Sequence, residues 1–370
     1  MRRIFLICLL WKAIATISRG SQSPLSCNPI LCNDQNAKTH LAIIARGDGV
    51  GATIQQIVYA AAYALKRGWN FGGITEPNDS HGVMKDLIME YLFGNYENVL
   101  TKYKLRDVKA PHVKISDIKA LQTLKPDDTM VIDYQNGKFD LDSLGHLDDY
   151  LTPRYLQILR CSAYCHITST MRKHSHFSSN TSTLKVVAHI RRGDVLLNDT
   201  SRITTDDIYF RLFRAIHHIA PHAELHAFTS TLQMSSIYID MIARYAAHNI
   251  TLHVDSEESS TFQNDFDGTN AIKVAWAHFI TADILLTSKS SFSTVPALFN
   301  SNCVLYQKFW HLPLSQWIVL PISKDGIPSR KKQHWNRIFT QQLPRCIRRL
   351  STTRELSSLP SYCKICAPDL

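Results

Sequence analysis

The chain has 370 residues, 45% hydrophobic and 19% charged, with 41 Lys and Arg against 31 Asp and Glu. This composition excludes a disordered, collagen-like or low-complexity chain. The length exceeds one compact core, so two domains of similar size are expected, and the +10 formal charge suits an anionic partner without choosing among nucleic acid, membrane and small molecule.

At the N-terminus a positive MRR precedes the apolar IFLICLLW, and Lys12 ends the run. The run is shorter than the ~20 residues a comfortable transmembrane helix needs. Residues 1–18 read as a signal peptide, with small residues at Ala13/Ala15 or Thr16/Ser18, or as a short signal-anchor. Residues 19–40 are polar and read as a stem or linker. Apart from Cys8 in the leader, eight cysteines remain: Cys27, Cys32, Cys161, Cys165, Cys303, Cys346, Cys363 and Cys366. The even number permits full disulfide pairing and agrees with passage through the secretory pathway. Sequons at Asn78, Asn180, Asn198 and Asn249 point the same way. Cys363-Lys-Ile-Cys366 lacks a second half at zinc-site spacing, so it reads as a disulfide staple.

Residues 41–175 are expected to form the first α/β domain. LAIIA (41–45) is a strand, and ATIQQIVYAAAYALKR is a helix with Ile54, Ile57, Ala61 and Leu65 at helical spacing and Gly68 as its stop. WNFGGI and TMVIDY are strands, and HGVMKDLIMEYLF and VKISDIKALQTL are predicted helices. TPRYLQILRCSAYCHI is a helix with Thr152 as N-cap and Pro153 at its first position. The polar MRKHSHFSSNTST (171–183) marks the boundary.

A tighter βα alternation follows over 180–345, through strands LKVVAHI, ELHAFTS, ITLHVD, ADILLT and CVLY and the helices between them. Residues 346–370 read as a cysteine-containing tail. Strands alternating with helices predict parallel sheets in both halves: an α/β chain of two Rossmann-type domains, GT-B-like, with an interdomain cleft.

Three segments follow strand ends, where such sheets take ligands. Arg46–Ala52, RGDGVGA, fits the loose G-x-G-x-x-A pattern, with Glu76 placed for a ribose. The alternative is a turn that lets helix and strand pack closely. Asp48 there is also placed to take a proton from an attacking hydroxyl. His189-Ile-Arg191-Arg192-Gly-Asp194 offers guanidinium forks for phosphate oxygens, against the alternative of an ion pair with Asp194. Thr287-Ser288-Lys-Ser290-Ser291-Phe-Ser293 puts hydroxyls at a helix start, an anion pocket if more than simple capping. Together the last two segments would hold a diphosphate without a metal.

At these residues HIRRGD resembles the H-[IV]-R-R-G-D motif of alpha-1,2-fucosyltransferases and, more distantly, the H-x-R-R-x-D of alpha-1,6-fucosyltransferases. SKSSFSTVPALF resembles the S-S-F-S segment of the alpha-1,2 group, and GDGVGATIQQIVYAAAYALKRG its N-terminal turn and helix. The resemblance touches most of residues 41–306. It implies a GT-B fold, GDP-fucose as donor, a glycan acceptor, inversion at the anomeric carbon and no required metal or cofactor. It implies that Arg191 grips the β-phosphate, with His189 and Arg192 in support and Ser288, Ser290, Ser291 and Ser293 completing the cradle. Asp255 is a looser candidate for guanine or ribose. Asp48 and Asp194 both qualify as base. GVGATIQQ departs from the usual G-x-G-N-Q, and Thr294-Val295 replaces an aromatic pair.

Two rivals stand beside a fucosyltransferase: a non-catalytic GDP-sugar- or glycan-binding relative, and a nicotinamide-dependent oxidoreductase using Gly47–Ala52. The basic run SRKKQHWNRIF…RCIRRL reads as a solvated helix face or a steering patch rather than a nucleic-acid site. His174 and His176 read as surface linker residues, not metal ligands.

Overall fold

The computed structural model describes residues 39–44, 49–74, 82–93, 112–124, 130–134, 139–180, 182–193, 195, 200–231, 236–256, 266–309, 311–322 and 332–354. The leader, Asp48, Asp194, Glu76, the sequons at Asn78 and Asn198, and Cys363/Cys366 lie outside these residues. Among the described residues no helix is long and apolar enough to cross a membrane.

Every described strand pairing is parallel. The first sheet contains β1 (Thr39–Ile43), β2 (Asn70–Ile74), β3 (His112–Ile115) and β4 (Met130–Tyr134), ordered β2-β1-β4-β3. The second contains β5 (Lys185–His189), β6 (Glu224–Thr231), β7 (Ile250–Ser256), β8 (Ile284–Leu286), β9 (Cys303–Gln307) and β10 (Ile318–Leu320). Its order, β7-β6-β5-β8-β9-β10, is the doubly wound order 3-2-1-4-5-6. The two-sheet α/β architecture expected from the alternation is therefore present.

Helix α1 (Val50–Lys66) shows why the halves belong together. Its apolar spacing predicts one buried face, yet nearly all of its first fifteen residues are buried, including Gln55 and Gln56. It is sandwiched between the first sheet and the second half. Gln55 Nε2 donates to Tyr59 Oη at 2.9 Å, which offsets one polar burial. Gly68 at φ 68 ends the helix, as expected of a left-handed stop.

The remaining helices are α2 (Gly82–Phe93), α3 (Ala120–Thr123), α4 (Pro153–His174), α5 (Asp206–Ile219), α6 (Ser236–Ala246), α7 (Phe266–Thr281), α8 (Ser291–Phe299), α9 (Lys332–Arg337) and α10 (Leu343–Arg354). Thr152 caps α4 by accepting from Tyr155 N at 3.2 Å, as Thr152-Pro153 predicts. The helix continues through Arg172, Lys173 and His174, three basic residues at its negative dipole end, so the first part of the polar boundary segment is helical.

Three expectations change. VKISDIKALQTL is not one helix: His112–Ile115 is a strand paired with β4, and only Ala120–Thr123 is α-helical. β10 and helices α9 and α10 are additional elements. The boundary between residues 345 and 346 falls inside α10, whose Leu343, Cys346 and Leu350 pack with the second sheet. Cys346 is disulfide-bonded to Cys303 across 43 residues, and Cys161 is disulfide-bonded as well.

Alternation along β5 places the site. Val186, Ala188 and Ile190 pack against α5, α6 and α10, whereas Val187 faces α7, α8 and the first half. With both faces covered, every residue of β5 is buried. His189 follows on the Val187 face and ends the strand.

Candidate functional site

In a 3-2-1-4-5-6 sheet the crossovers diverge between the first and fourth strands, and ligands bind beyond the carboxyl ends there. Here those strands are β5 and β8. The residues at their ends are His189 and Thr287-Ser288, from two of the three segments singled out in the sequence. They meet: Ser288 Oγ lies 2.7 Å from His189 Nδ1.

His189 is buried, and its ring lies against Phe279 and Phe292, with centroids 5.6 and 5.1 Å away. Burial first, then Arg191, Arg202 and Arg192, hold its pKa well below the ordinary histidine value. The imidazole is thus a neutral hydrogen-bonding group at physiological pH.

The two adjacent arginines differ. Arg192 is buried, and its guanidinium meets Asp206 at 2.6 Å, Thr204 O at 3.1 Å and Arg191 O at 2.8 Å. Asp206 also accepts from Arg244 at 3.0 Å and Tyr245 at 2.9 Å. Arg192 therefore anchors the loop. Arg191 sits half-buried at the mouth of the strand end. A second chain of bonds holds the strand itself: Thr204 donates to Gln307 (2.6 Å), Gln307 to Tyr209 (3.3 Å), and Tyr209 to His189 O (3.2 Å). Gly193 at φ 66 turns the loop away, and a Cβ there would lie 3.3 Å from Ser230 O.

The serines divide their work. Ser290 caps α8 by accepting from Phe292 N at 3.2 Å. Ser293 Oγ accepts from Ser288 N at 3.0 Å and closes the turn. Ser291, half-buried at the first position of α8, has no described side-chain bond. Lys289 is buried with Nζ donating to Ser201 O at 2.9 Å. Arg202 lies over Phe309, 5.1 Å from the ring centroid. Thus Arg191, Arg192, Arg202, Lys289 and the positive end of α8 surround one strand end, with Asp206 committed to Arg192.

The first segment joins here too, through packing. Gly49 precedes α1 at φ 124, and a Cβ on Gly51 would sit 2.6 Å from Phe292 N. The glycine lets the start of α1 approach the start of α8. This close approach is helix to helix, not helix to strand as the packing alternative had it. Asp255 lies at the end of β7, two strands from His189.

Arg202, Lys289 and Asp206 belong to no motif of the sequence: Lys289 stands between the serines, and Asp206 is one of two acidic residues in the first turn of α5. Thr205 occupies the cap position of α5, and its side chain makes no capping bond.

No family model matches the chain, and no curated protein matches it. Among solved structures, the chain is similar to a mutant of Arabidopsis thaliana FUT1 in complex with GDP, with 11% identity, a TM-score of 0.41 and coverage of 78% of this chain and 74% of that one. It is also similar to Acinetobacter baumannii MurG, with 12% identity, a TM-score of 0.23 and coverage of 86% and 92%.

Proposed function

We propose that the chain is an inverting, metal-independent glycosyltransferase that moves fucose from GDP-fucose to a glycan acceptor, in the manner of alpha-1,2-fucosyltransferases. The observation that supports this reading is the His189–Ser288 contact at the switch point, ringed by cations whose charge exceeds that of Asp206. A diphosphate is the anion that such a strand end suits.

In this reading Arg191 and Ser291 face the diphosphate. Arg192, Ser290 and Ser293 hold their loops in shape, and Asp255 serves guanine or ribose. His189 remains neutral and donates or accepts without adding charge. Asp48 or Asp194 takes the proton from the acceptor hydroxyl. The oxygen attacks the anomeric carbon, the bond to the diphosphate breaks, and the electron pair leaves on the phosphate oxygen. A single displacement inverts the centre. Fixed cations stabilise the departing charge, the role a divalent metal plays elsewhere.

A secretory location, in the Golgi lumen or membrane, goes with this activity, and the Cys303–Cys346 disulfide favours an oxidising compartment. The dinucleotide alternative is weaker, because the start of α1, where a pyrophosphate would sit, is packed against the backbone of Phe292 at Gly51.

The test is transfer from radiolabelled GDP-fucose to a glycan panel in the presence of chelator. Transfer by the wild type and a loss of about 10²-fold or more in Arg191→Ala, with a smaller drop in the melt than Arg192→Ala shows, are expected for charge-assisted phosphate contacts. Full activity in Arg191→Ala would reject the assignment. Tight GDP binding without turnover would favour a non-catalytic relative.

A further inference from the structure

Helix α6 carries two apolar stripes. Tyr238, Met241 and Tyr245 are buried and belong to the same core cluster as Ile250 at the start of β7. Ile239, Ile242, Ala243 and Ala246 form the second stripe, at the i, i+3, i+4, i+7 spacing of one helix face, and all four are exposed. Ile239 is 61% exposed and Ile242 37%. The charged residues of the helix, Asp240 and Arg244, stand off this stripe, and Arg244 is bonded to Asp206. A contiguous apolar face on a folded surface marks a place that something covers.

The stripe runs into the sequon Asn249-Ile250-Thr251. Ala247 N, His248 N and Asn249 N donate to Ala243 O, Tyr245 O and Ala246 O at 3.0, 2.9 and 2.9 Å, so helical turns continue as far as Asn249. Asn249 then takes φ 57, and β7 begins at Ile250. A left-handed residue at a helix end favours asparagine by itself. Two further observations point to a modified one. Asn249 and Thr251 are both exposed, and Asn249 closes the last turn on Ala246, where the apolar stripe ends. The sequon at Asn180 lies instead in the polar connection before β5, where the Asn180 carbonyl accepts from Lys185 at 3.0 Å. Asn249 also precedes the amino end of β7, whereas the strand-end site lies at the carboxyl ends. Seven residues of strand at ~3.3 Å each separate them by roughly 20 Å.

We infer that Asn249 carries an N-linked glycan whose first sugars lie over the exposed stripe of α6. The inference rests on the secretory location proposed above. The co-reactant is a lipid-linked oligosaccharyl diphosphate of that compartment. Asn249 Nδ2 gives up one proton to the medium and bonds to the anomeric carbon of the oligosaccharide. The anomeric C–O bond breaks, and its electron pair leaves on the diphosphate. The C–H faces of the sugar rings then pack on Ile239 and Ile242, with the hydroxyls toward water.

The test expresses the full chain in animal cells, once with its own N-terminus and once behind an added secretory leader. Peptide mass spectrometry after enzymatic deglycosylation, which leaves Asp where a glycan stood, should find Asn249 modified in most molecules of the secreted product. Thr251→Ala removes the sequon and keeps the left-handed asparagine. It should raise the binding of an apolar fluorescent dye about three-fold or more and promote self-association in sedimentation. Enzymatic removal of the glycan from the folded wild type should do the same. Adding Ile239→Ser and Ile242→Ser to Thr251→Ala should return both readings to the wild-type level. An unmodified Asn249 in the secreted product would overturn the site. Dye binding and sedimentation unchanged by loss of the glycan would overturn the covering of α6. Modification behind the added leader but not behind the chain's own N-terminus would count against the secretory location alone.

Discussion

Ser288 Oγ and His189 Nδ1 lie 2.7 Å apart although 99 residues separate them in the chain. The bond ties the ends of β8 and β5 together where the doubly wound sheet diverges. Ser288→Ala should leave a buried imidazole nitrogen without its partner, costing about 1–3 kcal/mol of stability. A denaturant melt measures this, and GDP affinity should fall with it. An unchanged melt would mean that the contact does not hold the site together.

The neighbouring arginines should separate cleanly on mutation. Arg192→Ala leaves Asp206 with Arg244 and Tyr245 but removes the bonds to Thr204 O and Arg191 O, and should destabilise by about 1–3 kcal/mol. Arg191→Ala, at a half-buried position, should lower the melt less than Arg192→Ala does. Thermal melts of both variants, side by side, check the division between anchor and ligand contact.

Gly51 has no room for a side chain. A Cβ 2.6 Å from Phe292 N meets backbone, which must move. Gly51→Ala should cost about 1–3 kcal/mol by overpacking and separate the starts of α1 and α8. If those starts jointly border the reacting centre, kcat should fall more than donor affinity. Steady-state kinetics with a melt measures both.

Acid should loosen the second half through its histidines. Burial first, then mutual repulsion, hold His253 at about 3, and burial holds His278 at about 4, with His176 and His226 also lowered. These groups take up protons more readily unfolded. Their stabilising neutrality is therefore complete above the ordinary histidine value of about 6.5 and is lost as pH falls toward 4 and 3. Melting temperature should drop across that window. His253→Phe should flatten the drop, and an unaltered slope would count against the cluster as its cause.

The disulfide between Cys303 and Cys346 closes a loop of 43 residues. Chain entropy gives about 4 kcal/mol for a loop of that size, so Cys346→Ser should lower the melt markedly, with wild type under reducing conditions falling at least as far because the Cys161 disulfide opens too.

Much of this was legible in the chain because the second half repeats short strand and helix periods with tight loops. His189, Arg191 and the serine segment could be located because each follows an apolar strand. Local patterns failed where pairing across the sheet decides. Val113 and Ile115 pair with β4, which overrides the helical spacing of VKISDIKALQTL. β10, with only Ile318–Leu320, is too short to show a period. The split between Arg191 and Arg192 depends on Asp206, and the cluster of His176, His226, His253 and His278 joins three elements and the connection before β5. Neither relation has a local signature.

The most direct measurement is the thermal shift produced by GDP in the presence of chelator. GDP at a hundred times its dissociation constant should stabilise the wild type by about 2.7 kcal/mol. Adenosine diphosphate should do far less, and Arg191→Ala should lose most of the GDP response while remaining folded. No GDP stabilisation in the wild type, or a full response in Arg191→Ala, would contradict a diphosphate site at His189 and Ser288.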